Sequence, residues 1–294
     1  MKIRSLLPIL LISASSSWGG SIFLTGHDPD FHAELGGNFV GAQHINQRAI
    51  AFIQDPGFNP YVGSAPKFLF VESNIPTPGG HVPGVHGIVD AGFVLGADFD
   101  QVNASGLNAA LDLLGTSYSA IVVASDFGGL LTSAELSILN ARSGDIINFL
   151  NNGGGLYAMA QSNGGAGLTG ATPKFGFLPF IVSSTAFNQS EVSNTLTPFG
   201  LSLGLLNTDI NGNFSHNIFT STGGMNIVDL DSNGNILSLA VRSRIDEGGV
   251  VGGVPEPSTF GLFGFGSLAL LWAVRRRDRR GGVLESEGSS RDTQ

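Results

Sequence analysis

The chain has no cysteine in any of its 294 positions. Disulfide staples, thiolate metal sites and a cysteine nucleophile are therefore excluded. Charge is scarce as well, at 13% of residues, where about a quarter is usual. Basic residues are scarcest in the body of the chain. Between residues 21 and 258 there are six of them against nineteen acids, a formal charge of −13, while the whole chain carries −9. A body of that sign repels phosphate backbones, which argues against nucleic acid as a partner. It is compatible with a cation or a neutral glycan. Glycine, by contrast, is abundant at 43 residues, about twice the usual share. Long glycine- and asparagine-rich loops are expected, and these favour an exported domain.

Both ends read as addresses. Residues 1–20 have the form of a secretory signal peptide. Lys2 and Arg4 supply the charged start, residues 6–12 the apolar stretch, and Ala14 to Ser17 the small residues of a cleavage site. The apolar stretch is too short to span a bilayer, which takes about 20 residues. At the other end three features follow in order: the triplet Pro255-Glu256-Pro257, an uncharged run over 258–274, and arginines at 275, 276, 277, 279 and 280. The 17-residue run is at the short end for a transmembrane helix. The arginines would stay cytoplasmic by the positive-inside rule. The prolines keep Glu256 extended and outside the helix, where a processing enzyme can grip it.

This C-terminal arrangement resembles the PEP-CTERM sorting signal of exported Gram-negative bacterial proteins, with Pro255, Glu256, Pro257, Arg275, Arg276 and Arg277 as its matching residues. The resemblance implies an exosortase-type processing enzyme as partner. It also implies transient anchoring in the inner membrane, then delivery to the cell surface or the medium, in organisms that typically make exopolysaccharide. The polar tail 281–294 departs from that pattern, which usually stops soon after the arginines. The expected organisation is a signal peptide (1–20), one domain (21–251), a sorting segment (252–280) and a tail (281–294).

The body alternates strand and helix. Strands are expected at 21–25, 67–72, 120–124 and 156–160, and helices at 38–54 and 103–114. A long helix is expected from Thr132 to the glycines 153–155. Thr132 and Glu135 have capping-box spacing. Leu136, Leu139, Ile146, Ile147 and Leu150 form its apolar stripe, and the glycines end it. Uniformly apolar strands alternating with helices are the pattern of a parallel sheet covered on both faces. Further on, "NIVDLDSNGNILSLAV" has the form of a β-hairpin turning at Asn233-Gly234. Its Asp229, Asp231, Asn233 and Asn235 match half of a calcium loop, but the twelfth position is Ala240 rather than an acid.

The order of elements over 21–165 resembles the class I glutamine amidotransferase-like fold, including ThuA-like proteins. That resemblance implies a flavodoxin-like parallel sheet sandwiched by helices, here with a C-terminal hairpin and a single C-terminal transmembrane helix. Amidotransferases carry a cysteine on the elbow after the last of these strands. This chain has Ala160-Gln161-Ser162-Asn163-Gly164 there, so amidotransferase chemistry is ruled out.

Five of the six histidines fall in the first 86 residues: His27, His32, His44, His81 and His86. The stretch "GHDPDFH" follows the first strand, and parallel sheets bind ligands at the carboxyl ends of their strands. His27, Asp28, Asp30 and His32 are thus candidate ligands for a divalent metal. The plainer alternative has Asp28 and Asp30 capping a turn around Pro29. Asp126 and Ser162 follow other strands and would open on the same edge. Ser162 is a weak nucleophile candidate, with His216 or His27 as its base. Two functions follow. The first is a non-catalytic, exported cell-envelope protein associated with extracellular polysaccharide. The alternative is an extracytoplasmic hydrolase or metal- or glycan-binding protein using His27, Asp28, Asp126 and Ser162.

Overall fold

The structure, a computed structural model, describes residues 19–73, 86–126, 131–161, 168, 173–178, 182–246 and 249–253. The expected signal peptide (all but its last two residues), His81, Ser162 and the sorting segment from residue 254 onward lie outside these residues.

The chain begins with β1 (Gly20–Thr25), a four-residue helix α1 (Pro29–His32), α2 (Phe39–Ile53), β2 (Lys67–Val71), α3 (His86–Asp90) and β3 (Phe99–Val102). Then come α4 (Ala104–Leu111), β4 (Tyr118–Val123), α5 (Ser133–Ala141), α6 (Ser143–Asn151) and β5 (Gly155–Ala158). These five strands pair in parallel. Successive side chains in a strand face opposite ways, so each strand feeds two cores. Ile22 and Leu24 of β1 join Ile121 and Val123 of β4 and Leu156 and Ala158 of β5 on one face, under α4, α5 and α6. Phe23, Ala120, Val122 and Tyr157 face the other way, into the core closed by α2 and α3. Tyr157 meets Phe23 edge-on at 5.6 Å, and its hydroxyl donates to Asn46 Oδ1 at 3.0 Å. Helices on both faces of a parallel sheet are what the apolar strands required.

Local signals placed the helix ends well. Asn38 caps α2 and Asn103 caps α4, each through its side chain. Thr132 and Glu135 form the capping box of α5. The long helix expected from Thr132 is instead two, broken at Arg142 (φ −97°, ψ 17°). Ser143 and Gly144, both poor helix formers, follow the break. The Arg142 guanidinium fixes it by reaching Asp112 at 2.6 Å and Asp145. Ile147 is only half-buried, and Phe149 fills the core in its place.

The remaining strands are antiparallel: β6 (Ser183–Ser190), β7 (Thr195–Leu196), β8 (Phe214–Ser221), β9 (Asn226–Leu230), β10 (Ile236–Asp246) and β11 (Gly249–Gly253), with α7 (Pro198–Ser202) after β7. The expected hairpin is present as β9–β10, with Gly234 at φ 82°. It is one piece of a larger extension. All strands belong to one eleven-stranded sheet with the main order β3-β2-β4-β5-β1-β10-β8-β6.

That order corrects the flavodoxin-like expectation. A flavodoxin sheet has its first strand between the second and third. Here β1 lies beyond β5 and pairs on its far side with β10 over all six of its residues. The apolar runs announced the strands but carried no information on which edges would meet. Among the described residues no helix is long and apolar enough to cross a membrane. The span expected at 258–274 lies outside them.

Gly153 and Gly144 offer a paired check. Gly153 sits at φ 97°, and a Cβ there would come within 2.5 Å of Pro60 Cδ. Gly144, in the first turn of α6, has open space around it. Gly153→Ala should lower unfolding stability by more than about 1 kcal/mol, the cost of the left-handed region alone. Gly144→Ala should raise it by about 0.5–1 kcal/mol through helix propensity. Chemical denaturation of both variants reads the two signs, and equal signs would contradict the turn geometry.

Candidate functional site

The carboxyl end of β1 leads directly into the His/Asp stretch. His27 makes an isolated antiparallel bridge to Ser215, and the His216 N–H donates to the Gly26 carbonyl at 2.7 Å. Opposed residues of an antiparallel pair share a face, and faces alternate along the chain. His27 therefore faces one way with Ser215, while Asp28 shares the other face with His216. This parity divides the stretch into two separate clusters.

The first cluster is an imidazole between two carboxylates. His27 Nδ1 bonds Glu191 Oε1, and His27 Nε2 bonds Asp229 Oδ2 at 2.8 Å. The Ser215 hydroxyl also donates to Glu191, at 3.1 Å. All four residues are buried. Burial by itself would lower the His27 pKa. Glu191 and then Asp229 outweigh it and hold the ring well above its ordinary value. The ring is thus a cation with both nitrogens engaged. Neither nitrogen is open to act as a general base or a metal ligand.

In the second cluster Asp28 stands between two histidines. Its Oδ1 lies 3.2 Å from His32 Nε2 and its Oδ2 lies 3.2 Å from His216 Nε2. Pro29 at the first position of α1 starts a helical turn, so His32, four residues after Asp28, returns over it. The two rings stack nearly parallel, 10° apart at 6.5 Å. Exposure is 0% at Asp28, 6% at His32 and 4% at His216. Burial would raise the Asp28 pKa, but His216 and then His32 bring it below the usual carboxylate value. Burial likewise opposes protonation of His32, and Asp28 reverses the effect and raises it.

Asp30 belongs to neither cluster. Its carboxylate accepts from the Ser125 N–H at 2.7 Å and the Phe31 N–H at 3.0 Å, tying α1 to the end of β4. Burial, then the nearby Asp28 charge, push its pKa up to about 6 despite those donors. Asp126 is placed beside the stretch by its backbone. Its N–H donates to Ala160 O, and the Ala160 N–H donates to His27 O. Its carboxylate acts on Lys174, whose ammonium burial nonetheless pulls below the ordinary value. Of the sequence candidates, Asp28 and His32 come together with His216. His27 and Asp30 are engaged elsewhere, and Ser162 lies outside the described residues.

The half calcium loop does not converge. Asp229 turns inward to His27, and Asp231 accepts from Asn233 N–H and Asn235 N–H at 2.8 Å each, so it builds the hairpin turn. A separate open cleft of about 290 Å³, toward the amino ends of the strands, is lined by Tyr61, Asp112, Arg142, Asp145, Asn148 and Asn152 among others. Glu191 escaped sequence reasoning altogether, since 164 residues separate it from His27. The Asp28/His32 pair was not read from the sequence either, although four residues starting from an Asp-Pro is a helical spacing that signals it.

Comparison with known proteins adds one finding. Residues 253–277 match the PEP-CTERM protein-sorting motif. The chain is thus an exported protein with envelope-associated sorting by an exosortase. No curated protein and no solved structure matches the chain, so the amidotransferase-like and ThuA-like likeness of the body finds no support there.

The His27 cluster predicts a specific stability pattern. Removing one partner of a buried ion pair costs about 3–5 kcal/mol, because the other charge remains buried. His27→Ala should destabilise by that order. Adding Glu191→Gln and Asp229→Asn to it should recover part of the loss. Denaturant unfolding of the His27→Ala variant, the Glu191→Gln/Asp229→Asn variant and the triple variant measures the coupling, and additive losses would count against a charged His27 triad.

Proposed function

We propose that this is a non-catalytic cell-envelope protein. It is held in the inner membrane by its C-terminal segment until an exosortase processes it, and then associates with extracellular polysaccharide. The observation that carries the reading is the sorting motif at 253–277. Two features of the body support it. There is no thiol in the sequence to serve as nucleophile, and the imidazole at the end of β1 is bonded to carboxylates through both nitrogens. The acidic body suits a neutral or cation-bridged glycan better than a polyanion. The cleft beside Tyr61, with its amide, carboxylate and guanidinium groups, has the chemistry that holds sugar hydroxyls. The alternative, a binding protein working through the loop edge, is favoured at one point, the cluster of Asp28, His32 and His216.

The test follows the full chain in an exosortase-bearing host. Pro255→Ala with Pro257→Ala should leave the unprocessed form in the inner-membrane fraction and deplete the surface and medium. Fractionation with intact-mass measurement reads both. Processing and location equal to those of the unaltered chain would defeat the sorting part of the reading. Failure of the released protein to co-sediment with the host's polysaccharide would defeat the second part.

A further inference from the structure

We infer that Asp28, His32 and His216 form a binding site for one divalent transition metal of the zinc and iron(II) class. The three residues each offer one ligand atom, and these atoms lie within 4.8 Å of one another. The inference is independent of the sorting reading, since the ligands lie in the body and the motif in the tail.

Three observations carry it. The first is the contact geometry. Both Asp28 oxygens lie 3.2 Å from an imidazole nitrogen. A charge-assisted hydrogen bond is shorter, at about 2.7–2.9 Å. Neither oxygen makes a well-formed hydrogen bond, and in this fully buried site each faces an imidazole at that longer distance. A buried carboxylate served only by such long contacts is poorly compensated. For whichever Asp28 oxygen binds, its 3.2 Å spacing to the facing imidazole nitrogen is close to that between two ligands of a tetrahedral centre. Bonds of about 2.0–2.1 Å at the tetrahedral angle put the ligand atoms roughly 3.3 Å apart.

The second observation is the orientation of His32. Its Nδ1 lies 3.0 Å from the Leu35 carbonyl oxygen. A carbonyl can only accept, so the ring proton is on Nδ1. Nε2 is thereby the nitrogen turned to Asp28, 3.2 Å from its Oδ1, and the one a metal would take in place of a proton. A backbone carbonyl that fixes the far nitrogen is the usual support of a metal-ligating histidine. Gly36 permits the arrangement. It sits at φ 122°, and a Cβ there would reach within 2.3 Å of His32 Nδ1.

The third observation is the donor set. Two imidazoles and one carboxylate suit zinc or iron(II), whereas calcium and magnesium prefer oxygen ligands throughout. Three protein ligands leave a coordination position open for water or an anionic ligand. The ligands also come from distant segments. Asp28 and His32 follow β1, and His216 belongs to β8, so the metal would clamp the parallel half of the sheet to the antiparallel half. His27 and Asp30, though adjacent in sequence, are not ligands, because carboxylates and backbone N–H groups already engage them.

The test uses the untagged full chain, purified in detergent and stripped with EDTA. Cobalt(II) titration should show one equivalent bound, with the visible absorption of a low-coordinate site, and zinc should displace it. Zinc should raise the unfolding temperature, as any ligand of the native state does, and magnesium and calcium at the same concentration should not. Asp28→Asn and His216→Ala should each weaken cobalt binding by more than about 100-fold, the upper end for losing only a supporting partner. His32→Asn, whose amide nitrogen takes the place of Nδ1 and can still donate to the Leu35 carbonyl, gives the same reading if either of those variants fails to fold. His44→Ala removes a histidine that pairs with Asp209 and should leave affinity unchanged. Absence of saturable cobalt uptake by the unaltered chain would overturn the site. So would equal weakening by His44→Ala, and an equal shift with magnesium would overturn the metal class.

Discussion

The imidazole of His27 is held on one side by Glu191 and on the other by Asp229, all three out of water. Two buried carboxylates carry a desolvation cost of several kcal/mol each, and only a cation between them makes the arrangement tolerable. The three residues come from the end of β1, the residue after β6 and the strand β9. The interaction therefore fixes where the antiparallel half meets the parallel half. It also sets the register at the seam. With His27 opposite Ser215, Asp28 has to share a face with His216. The second cluster follows from the first by the alternation of a β-ladder.

β10 completes this junction. It covers β1 along its whole length and turns back through the β9 hairpin, which brings Asp229 under His27. A parallel sheet that ended at β1 would leave an open edge of backbone donors and acceptors, which is a hazard for aggregation. Here the edge is sealed, and the same strand that seals it delivers part of the buried charge network. The clustering of polar groups at the carboxyl ends of the strands agrees with the general rule for α/β sheets. The groups serve different purposes, however. His27 closes the seam, Asp30 ties α1 to β4, and Asp28, His32 and His216 each bring one ligand-type atom to within 4.8 Å of the others.

Much of the parallel half was legible in the chain. The caps at Asn38, Asn103 and Thr132 and the stop at Gly153 depend on side chains within a few residues of the backbone groups they satisfy. Helix and strand boundaries there came within a few residues. The break at Arg142 was missed because the apolar stripe continues across it, and the guanidinium that stabilises it bonds Asp112, 30 residues away. The antiparallel half was faint. Strands such as β6, SSTAFNQS, are polar and largely exposed, so they show no apolar run, and their existence depends on the ladder they join.

By itself the sequence determined the sign and scarcity of charge, the lack of any thiol, the sorting motif, and the alternation that makes four apolar strands part of a parallel sheet; β3, FDQV, was not among them. Each of these is composition or short-range pattern, and neither depends on how the chain closes. Tertiary structure alone decided the strand order, the pairing of His27 with Glu191 and Asp229, and the approach of His216 to Asp28. Those side-chain contacts join residues 164 to 202 positions apart, and nothing in the local pattern of either partner encodes the other. They are selected by the need to satisfy buried charge and backbone polarity at once, a condition that exists only when the sheet is assembled.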